Sequence, residues 1–239
     1  MTPDVFLPQL LYEATQPYRR AGRFAWHFAR GKLGGDPAFR ALLERGLIAD
    51  NARVLDLGCG QGLLASWLLS ARRLHERGQW PSGWPAAPRL AQMRGIELMA
   101  RDVERARDAL GGAADFVVGN ICDTPFATVD VIVILDVLHY IDLAAQQDVL
   151  RRCRDALSSE GVLLLRIGDA AGGLPFRISN WVDHLVTFAR GHRLSRFTCR
   201  SMAQWCDALS ALGFRVDAMP MSRGTPFANV LLAARPVSR

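Results

Sequence analysis

An acid and three closely spaced glycines, Asp56-Leu57-Gly58-Cys59-Gly60-Gln61-Gly62, form the stretch of this chain best suited to holding a ligand. Glycines at a turn let the backbone bend sharply and let a ligand approach closely, because no Cβ stands between them. The dinucleotide fingerprint G-x-G-x-x-G would place its third glycine at position 63, but that residue is Leu63 and the glycine is Gly62. The loop also opens on a carboxylate, a poor neighbour for a pyrophosphate and a good one for a cation. Further along, Glu97 can accept two hydroxyl hydrogens at once. His139 carries an imidazole that titrates near neutral pH and suits a general base, with Asp136, Tyr140 and Asp169 as alternatives.

These residues need elements to position them. Arg53-Val54-Leu55 reads as a strand entering the glycine loop, and Leu63, Leu64, Trp67 and Leu68 open a helix after it. Apolar β-type runs recur at 53–57, 93–98, 115–119, 130–135 and 161–167, with helical patterns between them, such as Val149, Leu150, Cys153 and Leu157. Such alternation predicts a parallel sheet flanked by helices. A helix at about 199–212 then precedes two strands, Phe214–Met219 and Ala228–Ala233, joined through Gly224 and Pro226, which favours an antiparallel pair. Residues 1–50 read as a helical cap, with Asp36-Pro37 starting its second half. Residues 51–239 then form one domain with inserts at about 75–92, rich in Trp, Pro and Gly, and at 170–198.

The glycine loop closely resembles the first motif of the class I S-adenosylmethionine-dependent methyltransferases. Three further stretches agree in order. Gly95-Ile96-Glu97-Leu98 ends the second strand where that family holds the ribose. Gly119-Asn120-Ile121-Cys122-Asp123-Thr124-Pro125-Phe126 resembles its G-D-x-x-x-x-P-F stretch, where an acid or amide meets the adenine amine. The alternative for Asn120 is a turn residue capping its own backbone. Asp136-Val137-Leu138-His139-Tyr140 resembles the L-H-H or L-E-H of small-molecule members, at a strand end that in the family faces the methyl donor. It does not resemble the [DN]-P-P-[FY] motif of amino-group DNA methyltransferases.

The resemblance implies a Rossmann-like α/β fold with a seven-stranded sheet, order 3-2-1-4-5-7-6, the last strand antiparallel, and helices on both faces. It implies S-adenosyl-L-methionine as cofactor and S-adenosyl-L-homocysteine as product. The donor is expected on Asp56, Gly58, Cys59, Gly60, Glu97, Leu98, Asn120, Ile121 and Leu135, with His139, Asp136 and Tyr140 at the chemistry. Asp136 and His139 are too few for a metal site, and none is expected.

The bulk composition limits the partners. The 239 residues are half hydrophobic and 22% charged, which suits a globular domain. No apolar run is long enough to span a membrane, and the N-terminus lacks a secretory pattern. The odd count of 5 cysteines, without a C-x-x-C pair, fits reduced thiols and a cytoplasmic protein. The charge of +6 comes from arginines spread along the chain, so nucleic acid is not the expected partner.

A small aromatic or acyl acceptor, methylated at oxygen or carbon, fits an apolar roof from Tyr12, Tyr18, Phe24, Trp26, Phe176, Trp181 and Phe188. Ordinary helix packing is the other reading of these residues. The segments Tyr18–Phe24 and Phe28–Leu33 loosely resemble methyltransferases of bacterial polyketide-like and pigment pathways, which would suit an acceptor on an acidic acyl carrier protein docked on the arginines. An RNA-modifying methyltransferase and a non-catalytic binding subunit of the same fold remain the other classes.

Overall fold

Proline and aspartate set the first helices. In the computed structural model, which describes residues 1–168, 198–221 and 229–237, α1 (Pro3–Thr15) starts on a proline at its first position. After a 3-10 turn at Gln16–Arg19 come α2 (Arg23–Gly35) and α3 (Pro37–Glu44). Asp36 caps α3 as expected, its carboxylate accepting from the Ala38 N–H at 3.0 Å with Pro37 next.

Strands and helices then alternate. β1 (Ala52–Leu57) leads through the glycine loop into α4 (Leu63–Glu76). β2 (Leu90–Glu97), α5 (Ala100–Leu110) and β3 (Asp115–Val118) follow. β1 pairs with β2 and β2 with β3, all parallel. These elements belong to one compact unit, Met1–Thr124. The Trp-Pro-Gly segment between α4 and β2 is irregular, as its composition requires, yet it is anchored. Trp80 and Trp84 set their edges against the buried Phe6 of α1, with ring centroids 4.9 and 5.5 Å away. The Trp80 indole N–H donates to the Pro85 carbonyl. The segment thus helps hold α1 in place.

The second unit, Pro125–Arg239, contains β4 (Val129–Leu135), α6 (Leu143–Ala156), β5 (Leu157–Gly168), α7 (Met202–Ala211), β6 (Phe214–Pro220) and β7 (Asn229–Pro236). β4 and β5 are parallel, and β7 is antiparallel to both β5 and β6. The helical pattern ending at Leu157 is corrected by one residue: α6 stops at Ala156, and Leu157 opens β5 opposite Val129. Asp142 caps α6, and Ser201 with Gln204 forms a capping box on α7. The sheet order is β3-β2-β1-β4-β5-β7-β6, as expected from the sequence. The 170–198 insert, apart from Thr198, and the loop through Gly224 and Pro226 lie outside the described residues. No described helix is long and apolar enough to cross a membrane.

Gly62 is the glycine on which the first unit depends most. Its φ is +77°, and a Cβ there would lie 2.7 Å from the Phe116 ring and 3.2 Å from Ala106. Gly62→Ala therefore combines left-handed strain with overpacking. It should destabilise by about 2–4 kcal/mol in urea unfolding. Gly78→Ala, at φ +73° with open space around it, should cost only the strain, about 1 kcal/mol.

Candidate active site

The glycine loop is wired into the protein through its own amides. Gly58 N–H donates to the Ile96 carbonyl at 2.8 Å, Cys59 N–H to the same oxygen at 3.2 Å, and Gly62 N–H to the Cys59 carbonyl at 2.9 Å. Gly60 N–H donates to Glu97 Oε2 at 2.9 Å. A phosphate cradle needs such N–H groups turned toward the ligand. Here these four are spent internally, and the loop adds the acid of Asp56. The conformation requires glycine, since Gly58, Gly60 and Gly62 all have positive φ. No atom lies within 4 Å of where a Cβ at Gly60 would stand, so this residue keeps a space open beside the backbone.

Asp56 is the penultimate residue of β1 and is only 4% exposed. Burial, and then the nearby Glu97 carboxylate, push its pKa up to about 8. A buried acid beside a second acid is complementary to a cation, whose charge would offset both terms. Glu97 itself is half-buried and not a loose surface residue. Oε2 accepts from Gly60 N–H and Oε1 from Met99 N–H, each at 2.9 Å. Each oxygen keeps a further lone pair for a ligand hydroxyl.

The third strand ends in an asparagine turn. Asn120 Oδ1 accepts from Cys122 N–H at 3.0 Å, and its amide nitrogen donates to Asp123. This is the turn-capping geometry that the sequence left open, and the oxygen retains a second lone pair. Ile121 is buried, whereas Leu98 is 59% exposed. Cys59 contributes backbone only: its buried thiol packs against Gly95, where an added Cβ would collide with the sulfur. Burial also raises the pKa of that thiol, so it is no nucleophile.

In the second unit, Leu135, Asp136, His139 and Tyr140 follow one another at the end of β4. Asp136 adopts φ +58°, uncommon for a residue with a side chain. Arg166 of β5, 4% exposed, donates its Nε to Asp136 Oδ1 at 2.6 Å and pairs its Nη2 with Oδ2. Asp136 is thus the carboxylate of a bidentate pair with a buried guanidinium. Sequence reasoning missed Arg166. Its signal was a lone arginine in the apolar run Val162-Leu163-Leu164-Leu165-Arg166-Ile167, since a buried charge needs a partner.

His139 and Tyr140 sit on a 3-10 turn with their rings 4.1 Å apart. The fully buried Gln146 holds that turn. Its amide nitrogen donates to the carbonyls of Leu138, Ile141 and Thr198, while its oxygen accepts from Arg200. Among the described residues no three of His, Cys, Asp and Glu converge to hold a metal.

The apolar roof expected from aromatic residues is only partly described. Phe176, Trp181, Phe188 and the alternative base Asp169 lie outside the described residues. Tyr12 and Phe24 are more than half exposed. Trp26 is flanked by the guanidiniums of Arg19 and Arg30, at 4.9 and 5.2 Å. Tyr18 is fully buried.

Comparison with known proteins agrees with this fold. A family profile described as "Methyltransferase domain" matches residues 25–218. The chain therefore belongs to the methyltransferase-domain family, enzymes that use S-adenosylmethionine. No protein of curated function matches the sequence. Among solved structures, the fold is similar to that of the pyocyanin biosynthetic protein PhzM, with a TM-score of 0.62, 18% identity, and coverage of 88% of this chain and 57% of that one. It is also similar to the mitomycin 7-O-methyltransferase MmcR, with a TM-score of 0.59, 22% identity, and coverage of 96% and 60%. A third is the magnesium protoporphyrin IX methyltransferase ChlM from Synechocystis PCC 6803, solved with bound SAH, at a TM-score of 0.56, 17% identity, and coverage of 92% and 93%. The chain spans under two thirds of the length of the first two.

The residues present fit this donor. The buried Asp56 side chain would suit a positive charge, Gly60 leaves room beside the backbone, and Glu97 has lone pairs left for hydroxyls. The raised pKa of Asp56 has a consequence for stability. An aspartate in an unfolded chain titrates near 3.9, so the folded protein holds its proton more tightly. The resulting stabilisation is full below that pH and is lost as pH rises to about 8. Between pH 5 and 8 the wild-type protein should lose stability relative to Asp56→Asn, read as converging and then crossing urea midpoints.

Proposed function

We propose that this chain transfers a methyl group from S-adenosylmethionine to oxygen or carbon of a small aromatic or acyl acceptor. The observation that carries the reading is the acid-led glycine loop, in which the amides of Gly58, Cys59, Gly60 and Gly62 are committed internally while the buried acid Asp56 is left for a cation. Bound there, the donor would supply an activated methyl group on a sulfonium. The chain's own residues would do the rest. Asp56 would face the donor's positive charge, Glu97 its ribose hydroxyls through the lone pairs not used by Gly60 and Met99, and Asn120 the adenine amine. Ile121 and Leu135 would contribute apolar walls. His139 would take the proton from an acidic acceptor, with Tyr140 packed against its ring and Asp136 fixing the chain direction through Arg166. Holding the acceptor in line and excluding water supplies the largest share of such catalysis, up to roughly 7–11 kcal/mol.

Calorimetry should show binding of S-adenosylmethionine and S-adenosylhomocysteine, and each should raise the melting temperature by mass action. His139→Ala should then lower turnover about 10²-fold or more while donor affinity is kept. Absence of donor binding at millimolar concentration would remove the reading. Unchanged turnover in His139→Ala would make that residue structural.

Delivery of the acceptor on an acidic carrier protein is the finer part of the proposal. Residues 14–35 contain Arg19, Arg20, Arg23, Arg30 and Lys32 and no acid, so this segment would steer an anionic partner. Exposed charge acts mainly on association rate and is screened over about 8 Å at physiological salt. Methylation of a carrier-bound acceptor should slow as salt rises, and Arg20→Glu with Arg23→Glu should reproduce the loss at low salt. Equal salt response with a free acceptor would remove the carrier.

A further inference from the structure

Helix α6 places a glutamine where its pattern calls for an apolar residue. Gln146, Val149, Leu150 and Cys153 share its buried face, and Gln146 is 0% exposed. A leucine would serve that packing. The amide is instead fully used. Its nitrogen donates to the carbonyls of Leu138, Ile141 and Thr198 at 3.0, 3.2 and 2.9 Å. Its oxygen accepts from Arg200 Nε at 2.9 Å. This chemistry fixes the orientation of the amide, since carbonyls only accept and a guanidinium only donates.

These bonds close around one residue. Leu138 and Ile141 bracket His139 and Tyr140 on the 3-10 turn. The His139 carbonyl accepts from Thr198 N–H at 3.0 Å, and the Thr198 carbonyl returns to Gln146. His139 is thus held through its own carbonyl and, on either side, through carbonyls that converge on one buried side chain. The turn closes without this amide: the Leu138 carbonyl already accepts from Ile141 N–H at 3.2 Å, and the Val137 carbonyl from Tyr140 N–H at 3.1 Å. Arg200 tightens the hold. A cation on the amide oxygen polarises the N–H groups and strengthens what they donate. Its Nη2 also donates to the Leu143 carbonyl at 3.2 Å, which ties it to the start of α6.

We infer that Gln146 is a positioning residue that fixes the direction of the His139 imidazole, with Arg200 locking the amide that does so. This rests on the reading of His139 as the base and extends it to two residues that act through the turn. The reason to hold a base so firmly is geometric. A misplacement of about 1 Å at a reacting group can cost about 10²-fold in rate.

The rings of His139 and Tyr140, 4.1 Å apart, report the aim of the turn. With 5 histidines and 3 tyrosines in the chain, the NOE cross-peak between these two rings can be assigned in selectively labelled protein. Gln146→Met keeps the volume and removes the hydrogen bonds. It should lose this cross-peak while the melting transition stays cooperative. Val149→Ala, one turn along the same buried face, should lower the melting temperature and leave the cross-peak intact. An unchanged cross-peak in Gln146→Met would overturn the inference. So would its loss in Val149→Ala, because the turn would then follow general stability. Should Gln146→Met not fold, Arg200→Met decides, since Arg200 is only half-buried. The cross-peak should weaken there, and an unchanged one overturns the inference. Turnover of His139→Ala answers separately for the base: if it is unchanged, the reading of His139 fails whatever the cross-peak shows.

Discussion

Asp56 and Glu97 stand near the ends of two neighbouring parallel strands, and the first unit is organised around holding these two acids within electrostatic reach of each other. β1 and β2 run in register up to Leu57 opposite Ile96, which brings Glu97 level with the turn that follows Asp56. Glu97 is held by the Gly60 and Met99 amides. Asp56 is left with burial and a like charge, which is why its carboxyl holds its proton to about pH 8. Charge repulsion of this kind is tolerated where a ligand relieves it. The positive φ values of Gly58, Gly60 and Gly62 follow from the same demand, since the chain must turn back within one short loop to place Gly60 N–H on Glu97.

The N-terminal helices are part of that arrangement and not a separate attachment. Ser66 donates to the Ala14 carbonyl, the Trp67 indole to the Phe39 carbonyl and Gln61 to the Ala25 carbonyl. Each of these side chains belongs to the loop or to the helix it opens, and each reaches a different helix of the cap. The stability of α1, α2 and α3 is therefore tied to the element that presents the ligand loop.

The second unit solves a related problem with different chemistry. β4 ends on Asp136 in a left-handed conformation, and the buried Arg166 fixes it with two parallel contacts. A guanidinium is suited to this because its planar fork matches a carboxylate. Gln146 then ties the following turn to Thr198 through backbone carbonyls. His139 thus rests on a turn whose start and end are both fixed by buried polar side chains.

The sequence alone determined the order and type of the strands, the position of the ligand loop and the class of ligand. Those features are local: strand runs, glycines at fixed offsets and an acid before them need only near neighbours to be read. It also left Asn120 as a ligand contact or a turn cap; the structure shows the cap, and the amide oxygen retains a second lone pair. The start of β5 at Leu157 was misread because an apolar residue one turn after Cys153 fits a helix as well as a strand. Only pairing with Val129 decides between them. Tertiary structure alone decided that Glu97 braces the loop, that Asp136 is paired with Arg166 and that Asp56 is buried near a second acid. Each joins residues 30 or more positions apart, or depends on burial. The proton affinity of a carboxyl and the partner of a guanidinium are set by what surrounds them in space, which a linear pattern does not contain.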